Sequence, residues 1–322
     1  MTTTVSKPPP AFSQRDPCRS IHRLLARIIA QIAALGTLGL PLVCAAADAG
    51  DDGSANSART GASSSIGTRP LWELGLGVGA VSFPDYRGSK NQGTYVLPTP
   101  YFVYRGELFR ADRNGMRGIL FDTDRVKLNL SLAASLPIKS DDSGARSGMP
   151  NLKSTVELGP SLEFSLWRSQ NERTRLDLRL PVRAAFTVER SPRYVGLIAS
   201  PNLNLDILDP LGARGWNLGL LAGPLFANER QHAYFYGVDP QYANAARPEY
   251  RTHGGYSGAH FITALSKRFD RYWVGAFVRY DTLHGAAFAA SPLVQQRHSW
   301  AGGVAFSWVF AESGQRVLSS ER

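Results

Sequence analysis

Residues 155–188, TVELGPSLEFSLWRSQNERTRLDLRLPVRAAFTV, contain two runs in which apolar and polar side chains alternate. In the first run, one parity is apolar throughout: Val156, Leu158, Pro160, Leu162, Phe164 and Leu166. After a polar turn at 168–173, the second run repeats the pattern with Leu176, Leu178, Leu180, Val182, Ala184, Phe186 and Val188. A period of two places one face of a strand in an apolar medium and the other in a polar one. Each run exceeds the ~5–6 residues usual for a soluble strand and resembles the ~9–11 tilted residues that cross a bilayer.

The same alternation recurs at 72–80, 95–104, 126–136, 195–206, 216–226, 259–269, 272–283 and 300–310. A short hairpin is predicted at 107–111 and 116–121, because Arg113-Asn-Gly115 contains a strong two-residue turn signal. Pro98 and Pro100 predict irregular pairing or a rim position for their strand. The count is about twelve strands, or ten if the short hairpin does not span. A soluble β-sandwich also alternates, but it rarely needs so many long strands.

No stretch of about 20 uncharged apolar residues follows Asp48, so strands have to cross the bilayer. In lipid, only a closed barrel satisfies the backbone groups of strands. The predicted fold is therefore all-β, a transmembrane antiparallel up-and-down β-barrel. Connections near Asp270, Asp209, Gln170 and Thr123 are short, whereas those at 138–151, 228–256 and 283–298 are long, with 189–193 a short exception. Short periplasmic turns and longer external loops are typical of such barrels, and an even strand number places both ends in the periplasm.

The N-terminus predicts a signal peptide over 1–47, with basic residues, an apolar core at 28–43 and a small-residue cleavage site at 45–47. A lipoprotein cut before Cys44 is the alternative, but Val43 is too large for the usual pattern. We expect a disordered periplasmic lead-in at 48–70, the barrel at 71–310 and a polar tail at 311–322. Cys18 and Cys44 are the only cysteines in the sequence, so the mature chain would have no thiols, which fits export through an oxidising compartment.

Residues 1–47 carry five basic residues and one acidic residue, so their removal would lower the net charge from +10 to +6. A moderately basic exported chain is compatible with acidic partners such as lipopolysaccharide or peptidoglycan carboxylates. Nucleic acid is not an expected partner of an exported protein. The oligomeric state stays open.

Candidate sites are sparse. His253, Ser257 and His260 lie together, and His298-Ser299 is a second pair, but no carboxylate is placed to orient an imidazole. The six histidines show no metal-ligand spacing, and Asp141-Asp142 do not follow a calcium loop. We therefore predict no catalytic, cofactor-binding or metal-binding residues. Arg175, Arg179 and Arg183, with Asp177 and Lys127, share the polar parity, which predicts either an ion-paired lumen or an anion-favouring channel. Aromatic girdles are expected from Trp72, Trp216, Trp300 and Trp308.

Several strings, in order, resemble the MipA/OmpV family of outer-membrane proteins: Phe83-Pro-Asp-Tyr-Arg-Gly-Ser89, Leu97-Pro-Thr-Pro-Tyr-Phe102, Arg117-Gly-Ile-Leu-Phe-Asp-Thr-Asp-Arg125, residues 130–137 and 141–150, Glu157-Leu-Gly-Pro-Ser-Leu162 and Tyr234-Phe-Tyr-Gly-Val-Asp-Pro240. They cover most of 71–310. The resemblance implies a barrel of this size with no known catalytic residues, in the outer membrane of a Gram-negative bacterium. It departs from the usual pattern in one respect, since such barrels commonly end on an aromatic, here Phe310, and this chain continues to Arg322.

The resemblance also implies a function. The founding member of the family is a scaffold that joins a lytic murein transglycosylase to a penicillin-binding protein. We therefore expect a non-enzymatic scaffold for peptidoglycan-remodelling enzymes, in contact with outer-membrane lipid and lipopolysaccharide. The alternative is a small pore or envelope-permeability factor with an arginine-rich lumen. A lipid-modifying barrel enzyme acting through Ser257 and His260, or an adhesin, ranks below both.

Overall fold

The structure is a computed structural model, and it describes residues 68–105, 109–112, 115–122, 125–141 and 144–318. The expected signal peptide, 1–47, and most of the expected lead-in lie outside these residues. The described chain contains fifteen strands and one α-helix: β1 (Thr68–Pro70), β2 (Trp72–Pro84), β3 (Gln92–Arg105), β4 (Phe109–Asp112), β5 (Gly115–Asp122), β6 (Val126–Ser135), β7 (Thr155–Arg168), β8 (Thr174–Thr187), β9 (Tyr194–Ala199), β10 (Asn202–Leu208), β11 (Trp216–Ala227), α1 (Glu229–Tyr236), β12 (Gly255–Arg268), β13 (Tyr272–Thr282), β14 (His298–Glu312) and β15 (Arg316–Leu318).

The strands from β2 to β14 form one closed antiparallel ring. Each strand pairs with the next along the chain, except for β9 and β10, and β14 returns to pair with β2. Both β9 and β10 pair with β8 on one side and with β11 on the other, so they share one position in the wall. The ring thus has twelve positions, which confirms the predicted up-and-down barrel of about twelve strands.

The two faces of the barrel are inverted relative to a soluble protein. Side chains on the outer face are apolar and exposed, as for Leu76 (58%), Val304 (59%) and Phe310 (60%). Side chains that face the lumen are polar and buried, as for Glu163 (5%) and Asp177 (1%). An apolar outer surface fits an acyl-chain environment, and the inner polar groups bond to one another. The parity predicted for 155–188 therefore assigns the two faces correctly.

No helix among the described residues is long and apolar enough to span a membrane.

The connections differ at the two ends of the barrel. One end, which we call the turn end, carries the short links at 169–173, 209–215 and 269–271. The other, the loop end, carries the long connections at 136–154, 228–254 and 283–297, with α1 in the second of them. The three long connections predicted from the sequence are present in the structure, and the loop end also carries two shorter links, at 85–91 and at 188–193.

The strand predicted over 195–206 is broken into β9 and β10. Pro201 lies in the gap and carries no N–H to donate to a neighbouring strand. The Ser200 N–H donates to the Pro181 carbonyl at 3.1 Å, which keeps the break attached to β8. Sequence alternation continues through the break, so the pattern alone does not reveal it.

Strand structure continues beyond both edges of the expected barrel range, 71–310. Strand β14 continues to Glu312, and β15 pairs with β1 through Thr68–Leu318, Arg69–Val317 and Pro70–Arg316. Part of the expected lead-in, 48–70, and part of the expected tail, 311–322, therefore form a small ribbon at the turn end. The Ser313 N–H donates to the Trp72 carbonyl at 2.8 Å and ties this ribbon to the barrel.

The predicted short hairpin is present as β4 and β5, paired from Phe109–Gly118 to Asp112–Gly115. Its predicted turn falls on 113 and 114, which lie outside the described residues. Strand β4 has 4 residues and β5 has 8, whereas β7 and β8 have 14 each. Strand β4 is therefore much shorter than its neighbour β3, whereas β5 is only two residues shorter than its neighbour β6, which has 10 residues.

Candidate functional site

Near the turn end, an ion-pair network joins the neighbouring strands β7, β8 and β10 on the lumen side of the wall. Arg175 is its centre: its Nε lies 2.7 Å from Asp177 Oδ2, and its Nη2 lies 3.7 Å from Asp206 Oδ2 and 3.8 Å from Glu163 Oε1. Arg179 adds a contact of 3.5 Å from its Nε to Glu163 Oε2. These residues come from alternate positions of their strands, because only lumen-facing positions can converge there. The positive charge of these arginines is thus balanced by carboxylates on the same or neighbouring strands.

A second pair lies closer to the loop end. Arg183 Nε is 3.0 Å from Glu157 Oε2, and its Nη1 donates to Ser131 Oγ at 3.4 Å. The structure therefore places all three predicted arginines in the lumen and joins each to a carboxylate. Lys127 lies on the lumen face of β6 and is half-buried. An ion-paired lumen offers a permeating anion fewer free cations than the channel hypothesis requires.

An apolar cluster, which we call the plug, lies on the opposite side of the lumen at the turn end. Tyr101, Val103, Trp273 and Val309 are buried against one another. Beside them, Arg268 Nη2 lies 3.3 Å from Glu73 Oε2, which also accepts a hydrogen bond from the Tyr101 hydroxyl at 3.3 Å. The plug and the ion-pair network thus place buried side chains on two opposite sides of this half of the barrel.

The loop end is covered by a second apolar cluster that we call the loop cap. Its buried residues come from three connections: Tyr86, Tyr236, Leu283, Ala286 and Phe288. The Tyr86 hydroxyl donates to the Leu293 carbonyl at 2.8 Å, and the Tyr236 hydroxyl donates to the Arg87 carbonyl at 2.9 Å. Burial raises the pKa of Tyr86 to about 12 and raises the pKa of Tyr236 as well, so both phenols stay neutral donors at physiological pH.

Two loop arginines bond to carbonyls and tie the cap together. Arg146 is 3% exposed, and its guanidinium donates to the carbonyls of Phe235 at 2.9 Å and Pro150 at 3.3 Å. Arg247 donates to the carbonyls of Ala145 and Ser147, both at 2.9 Å. Burial lowers the pKa of Arg146 from its ordinary value, but an arginine remains charged. These hydrogen bonds join the 136–154 connection to the 228–254 connection, so the two loops are held together at the cap.

The histidine and serine candidates from the sequence do not form one site, and Ser257 has a different histidine partner from those expected. Ser257 does bond a histidine, but the partner is His232 of α1, at 2.6 Å from Nε2 to Oγ. His253 contributes only its backbone carbonyl, 2.5 Å from His232 Nδ1. The sequence analysis missed His232 because 24 residues separate it from Ser257 and no local pattern links them. Since a carbonyl only accepts, Nδ1 carries the proton and Nε2 accepts from the serine.

The other candidates lie elsewhere. His260 faces the lumen, where its buried Nδ1 lacks a hydrogen-bond partner among the described residues. His298 Nδ1 lies 2.6 Å from the Tyr280 hydroxyl on the outer face. The buried carboxylate of Asp281, which is in register with His260, is held by Arg87 at 2.9 Å and Arg279 at 2.7 Å. Ser257 and His232 are 5% and 2% exposed, so the pair links the cap to β12 and presents no open nucleophile.

The described residues contain no group of three or more His, Cys, Asp or Glu side chains that could hold a metal ion.

The chain is similar to known outer-membrane proteins. The family model described as MltA-interacting protein MipA matches residues 76–310. No curated protein matches the chain. A bacterial polysaccharide outer membrane secretin is 9% identical with a TM-score of 0.36, covering 74% of this chain and 99% of its own. The outer membrane phospholipase of Salmonella typhi is 10% identical with a TM-score of 0.31 over 77% and 94%. An outer membrane channel from Pseudomonas putida is 12% identical with a TM-score of 0.30 over 78% and 100%. These scores are too low to carry an argument about function.

Proposed function

The chain belongs to the MltA-interacting protein MipA family, and from that premise we propose that it is a non-enzymatic outer-membrane scaffold for peptidoglycan-remodelling enzymes. The observation that carries the proposal is that the side chains inside the barrel pair or pack with one another towards both ends. The turn end holds the ion pairs around Arg175 and the plug around Trp273, and the loop end holds the cap around Phe288. A barrel whose inner side chains are engaged with one another favours a function of its surfaces over one of its lumen.

The turn-end surface has the charge that a scaffold facing the cell wall needs. Among its described side chains, three carboxylates are exposed, Glu172, Asp270 and Glu312, and they are outnumbered by exposed arginines: Arg125, Arg168, Arg173, Arg214, Arg271 and Arg316. Peptidoglycan carries carboxylates, so a basic surface attracts it and the enzymes bound to it. If the turn end faces the cell wall, the loop end faces the cell exterior, where lipopolysaccharide supplies acidic groups.

The same surface carries an exposed apolar side chain on an unusual backbone. Leu211 is completely exposed, and its φ of 55° lies in the left-handed region that residues with a Cβ seldom adopt. The Gly215 N–H donates to Asp209 Oδ1 at 2.6 Å, which holds the turn in this shape. A leucine held away from the barrel wall in this way is a suitable contact for a partner protein.

Affinity capture from envelope extract tests the scaffold. Solubilised protein is expected to retain a lytic transglycosylase or a penicillin-binding protein, identified by mass spectrometry. Leu211→Ser and the double variant Arg168→Ser/Arg271→Ser should each lower the recovered enzyme at least fivefold. Arg251→Ser, at an exposed position of the loop end, is the control and should recover the parent amount. Recovery of no murein enzyme above background, where an established pair is retained, would reject the proposal.

Single-channel conductance in planar bilayers tests the alternative, a small pore with an arginine-rich lumen. We expect a folded barrel, recognised by heat-modifiable gel migration, that does not conduct. Steady conductance that changes when Arg179 and Arg183 are both replaced by serine would instead assign the lumen a transport function.

A further inference from the structure

The arginine of the sequence string at 83–89 extends from the loop cap to a lumen-facing aspartate. Arg87 Nε lies 2.9 Å from Asp281 Oδ1, and its Nη1 donates to the Ser257 carbonyl at 2.8 Å. Its Nη2 is buried against Gly258, where an added Cβ would lie 3.0 Å from this nitrogen, and it has no hydrogen-bond partner among the described residues. Arg87 therefore brings one unused N–H donor to the surroundings of Asp281.

Asp281 is shared by a second arginine. Arg279, two residues earlier on β13, has its Nε 2.7 Å from Asp281 Oδ2 and donates from Nη2 to Oδ1 at 2.7 Å. The aspartate is 4% exposed, so the two guanidinium groups take the place of the water that its carboxylate would otherwise bind. One negative charge thus faces two positive charges, which leaves an excess of one positive charge.

An imidazole lies beside the shared carboxylate. His260 of β12 is in register with Asp281 of β13, and both side chains face the lumen, so their Cβ atoms lie about 4.5–5.5 Å apart. The His260 Nδ1 is buried and has no hydrogen-bond partner in the described part of the chain. An imidazole Nδ1 can carry a proton and donate it. Two potential donors, one on Arg87 and one on His260, are therefore unused around one carboxylate.

The other charged groups nearby do not remove the excess charge. The charges that act most strongly on the His260 imidazole come from four side chains: Arg279, Asp281, Arg87 and Arg183. Arg183 is balanced by Glu157, 3.0 Å away. The ion pairs that these three arginines make with described residues involve Asp281 and Glu157 alone. We call this set of three arginines, two carboxylates and His260 the arginine recess; with a neutral imidazole, its net charge is +1.

The arginine recess lies within the membrane-spanning wall, where an excess charge is costly. Arg279 is in register with Ala301, the neighbour of Trp300, and Trp residues commonly mark the membrane interfaces. A charge buried in a membrane protein is usually paired with a charge of opposite sign. The recess is also not packed solid, because the Arg279 side chain faces the lumen and yet 34% of it is accessible to solvent. A monatomic anion is little larger than the water molecules that reach such a surface.

We propose that the arginine recess binds one small monovalent anion, for which chloride is the probe, between Arg87, Arg279 and His260. The N–H groups at Arg87 Nη2 and His260 Nδ1 supply hydrogen bonds, and the second guanidinium on Asp281 supplies the charge that the anion balances. A monovalent anion brings the recess to neutrality, whereas a divalent phosphate leaves it negative. The ion is held among fixed charges beneath the loop cap, so this is a binding site and not a conduction path. It is separate from the turn-end surface and does not depend on the scaffold function.

Chlorine NMR tests this site. The full-length protein is folded into a zwitterionic detergent and titrated with sodium chloride, while sodium gluconate, whose anion is far larger than chloride, keeps the ionic strength constant. Exchange of chloride with a protein site broadens the chloride resonance in proportion to the bound fraction. We expect saturable broadening that bromide, a monovalent anion of similar size, reverses by competition. Protein unfolded in urea, in which the arginines are no longer held together, should broaden the resonance at least fivefold less.

Variants at Arg279 locate the ion. Arg279→Met removes the excess charge but leaves Asp281 its pair with Arg87 at 2.9 Å, and it should lower the chloride affinity at least tenfold. Arg279→Lys keeps the charge and should lower the affinity less than threefold. Arg268→Met is the matched control, because it removes a lumen-facing arginine that pairs with Glu73 at the turn end, and it should leave the affinity unchanged.

A variant at His260 tests the hydrogen-bond donor. His260→Leu removes the imidazole without changing the net charge of the recess and should lower the affinity at least threefold, so it decides the matter if Arg279→Met does not fold. Heat-modifiable migration reports the folding of each variant. The proposal is overturned if the folded parent shows no saturable broadening, if folded Arg279→Met or His260→Leu binds chloride as the parent does, or if Arg268→Met loses as much affinity as Arg279→Met.

Discussion

Tyr236 at the end of α1 and Phe288 in the last long loop stack face to face, with ring centroids 3.6 Å apart and an interplanar angle of 9°. The two residues come from different connections at the loop end, so this contact joins one loop to another. His232 packs edge-on against the same Phe288 ring, at 4.7 Å between centroids. Phe288 is therefore the residue on which the closure of the loop cap most depends.

Replacing Phe288 by alanine is expected to open the loop cap while leaving the barrel closed. Loss of a buried phenylalanine costs ~3–5 kcal/mol, and Phe288 is 1% exposed. Limited proteolysis should therefore cleave within 228–254 and 283–297 at least tenfold faster than in the parent, with unchanged heat-modifiable migration of the barrel. Leu211→Ala, at a fully exposed position, is the control and should leave the cleavage rate as it is. Equal cleavage of Phe288→Ala and the parent would contradict the assignment.

The loop cap should also weaken in acid because of His232. Burial lowers the pKa of this imidazole below its ordinary value; the bond to the His253 carbonyl opposes the shift and nearby Arg87 adds to it. In the unfolded loop, the His232 imidazole takes up a proton below about pH 6.5, whereas in the folded loop it does so only at a lower pH. The stabilisation is thus complete above that pH and is lost as pH falls towards the folded pKa.

Proteolysis of the loops at pH 7.5 and pH 5 measures this effect, and cleavage should be faster at the lower pH. His232→Gln should remove most of the difference, because glutamine does not titrate. His298→Gln changes a histidine outside the cap and should retain the difference. An acid response that persists in His232→Gln would place the titrating group elsewhere.

Removing Arg175 is expected to destabilise the barrel. The substitution Arg175→Met leaves Asp177, which is 1% exposed, without its nearest cation and close to two further carboxylates. Breaking a buried ion pair on one side costs ~3–5 kcal/mol, so the urea midpoint at neutral pH should fall.

Two further variants control this measurement. Arg193→Ser breaks a pair with Glu189 in which the arginine is exposed, and it should leave the midpoint unchanged. The double variant Arg175→Met/Asp177→Leu should recover part of the loss, since it removes the buried aspartate, which in the single variant keeps only the more distant Arg179, 4.0 Å from its Oδ2. A midpoint equal to the parent in Arg175→Met would show that the network contributes nothing to stability.

Gly77 is expected to tolerate no side chain. A Cβ at this position would overlap the Phe306 carbonyl oxygen and lie 2.5 Å from Ser307 Cα on β14, so β2 and β14 would have to separate. Gly77→Ala should therefore fold in much lower yield, measured as the heat-modifiable fraction on a gel. Gly219→Ala is the matched control, because a Cβ there would lie 3.6 Å from Asp206 Oδ1, an ordinary contact. Equal yields for the two variants would refute the close approach.

The sequence by itself determined the barrel fold, which side chains face lipid and which face the lumen, and the approximate number of strands. Alternation at 155–188 assigns Leu162 to the lipid and Glu163 to the lumen because successive strand residues point to opposite faces. Loop lengths assign the two ends, and the 20 residues between β3 and β6 already limit the reach of the hairpin. Each of these features depends on residues close together in the chain, which is why local patterns reveal them.

Tertiary structure alone decided which distant residues meet. Ser257 bonds to His232 rather than to the neighbouring His253 or His260 side chains, because α1 folds back over the start of β12. Arg175 meets Asp206 because β8 and β10 become neighbours beyond the break at Pro201. The register that brings such pairs together results from ring closure, to which every strand contributes, and no window of sequence contains that information.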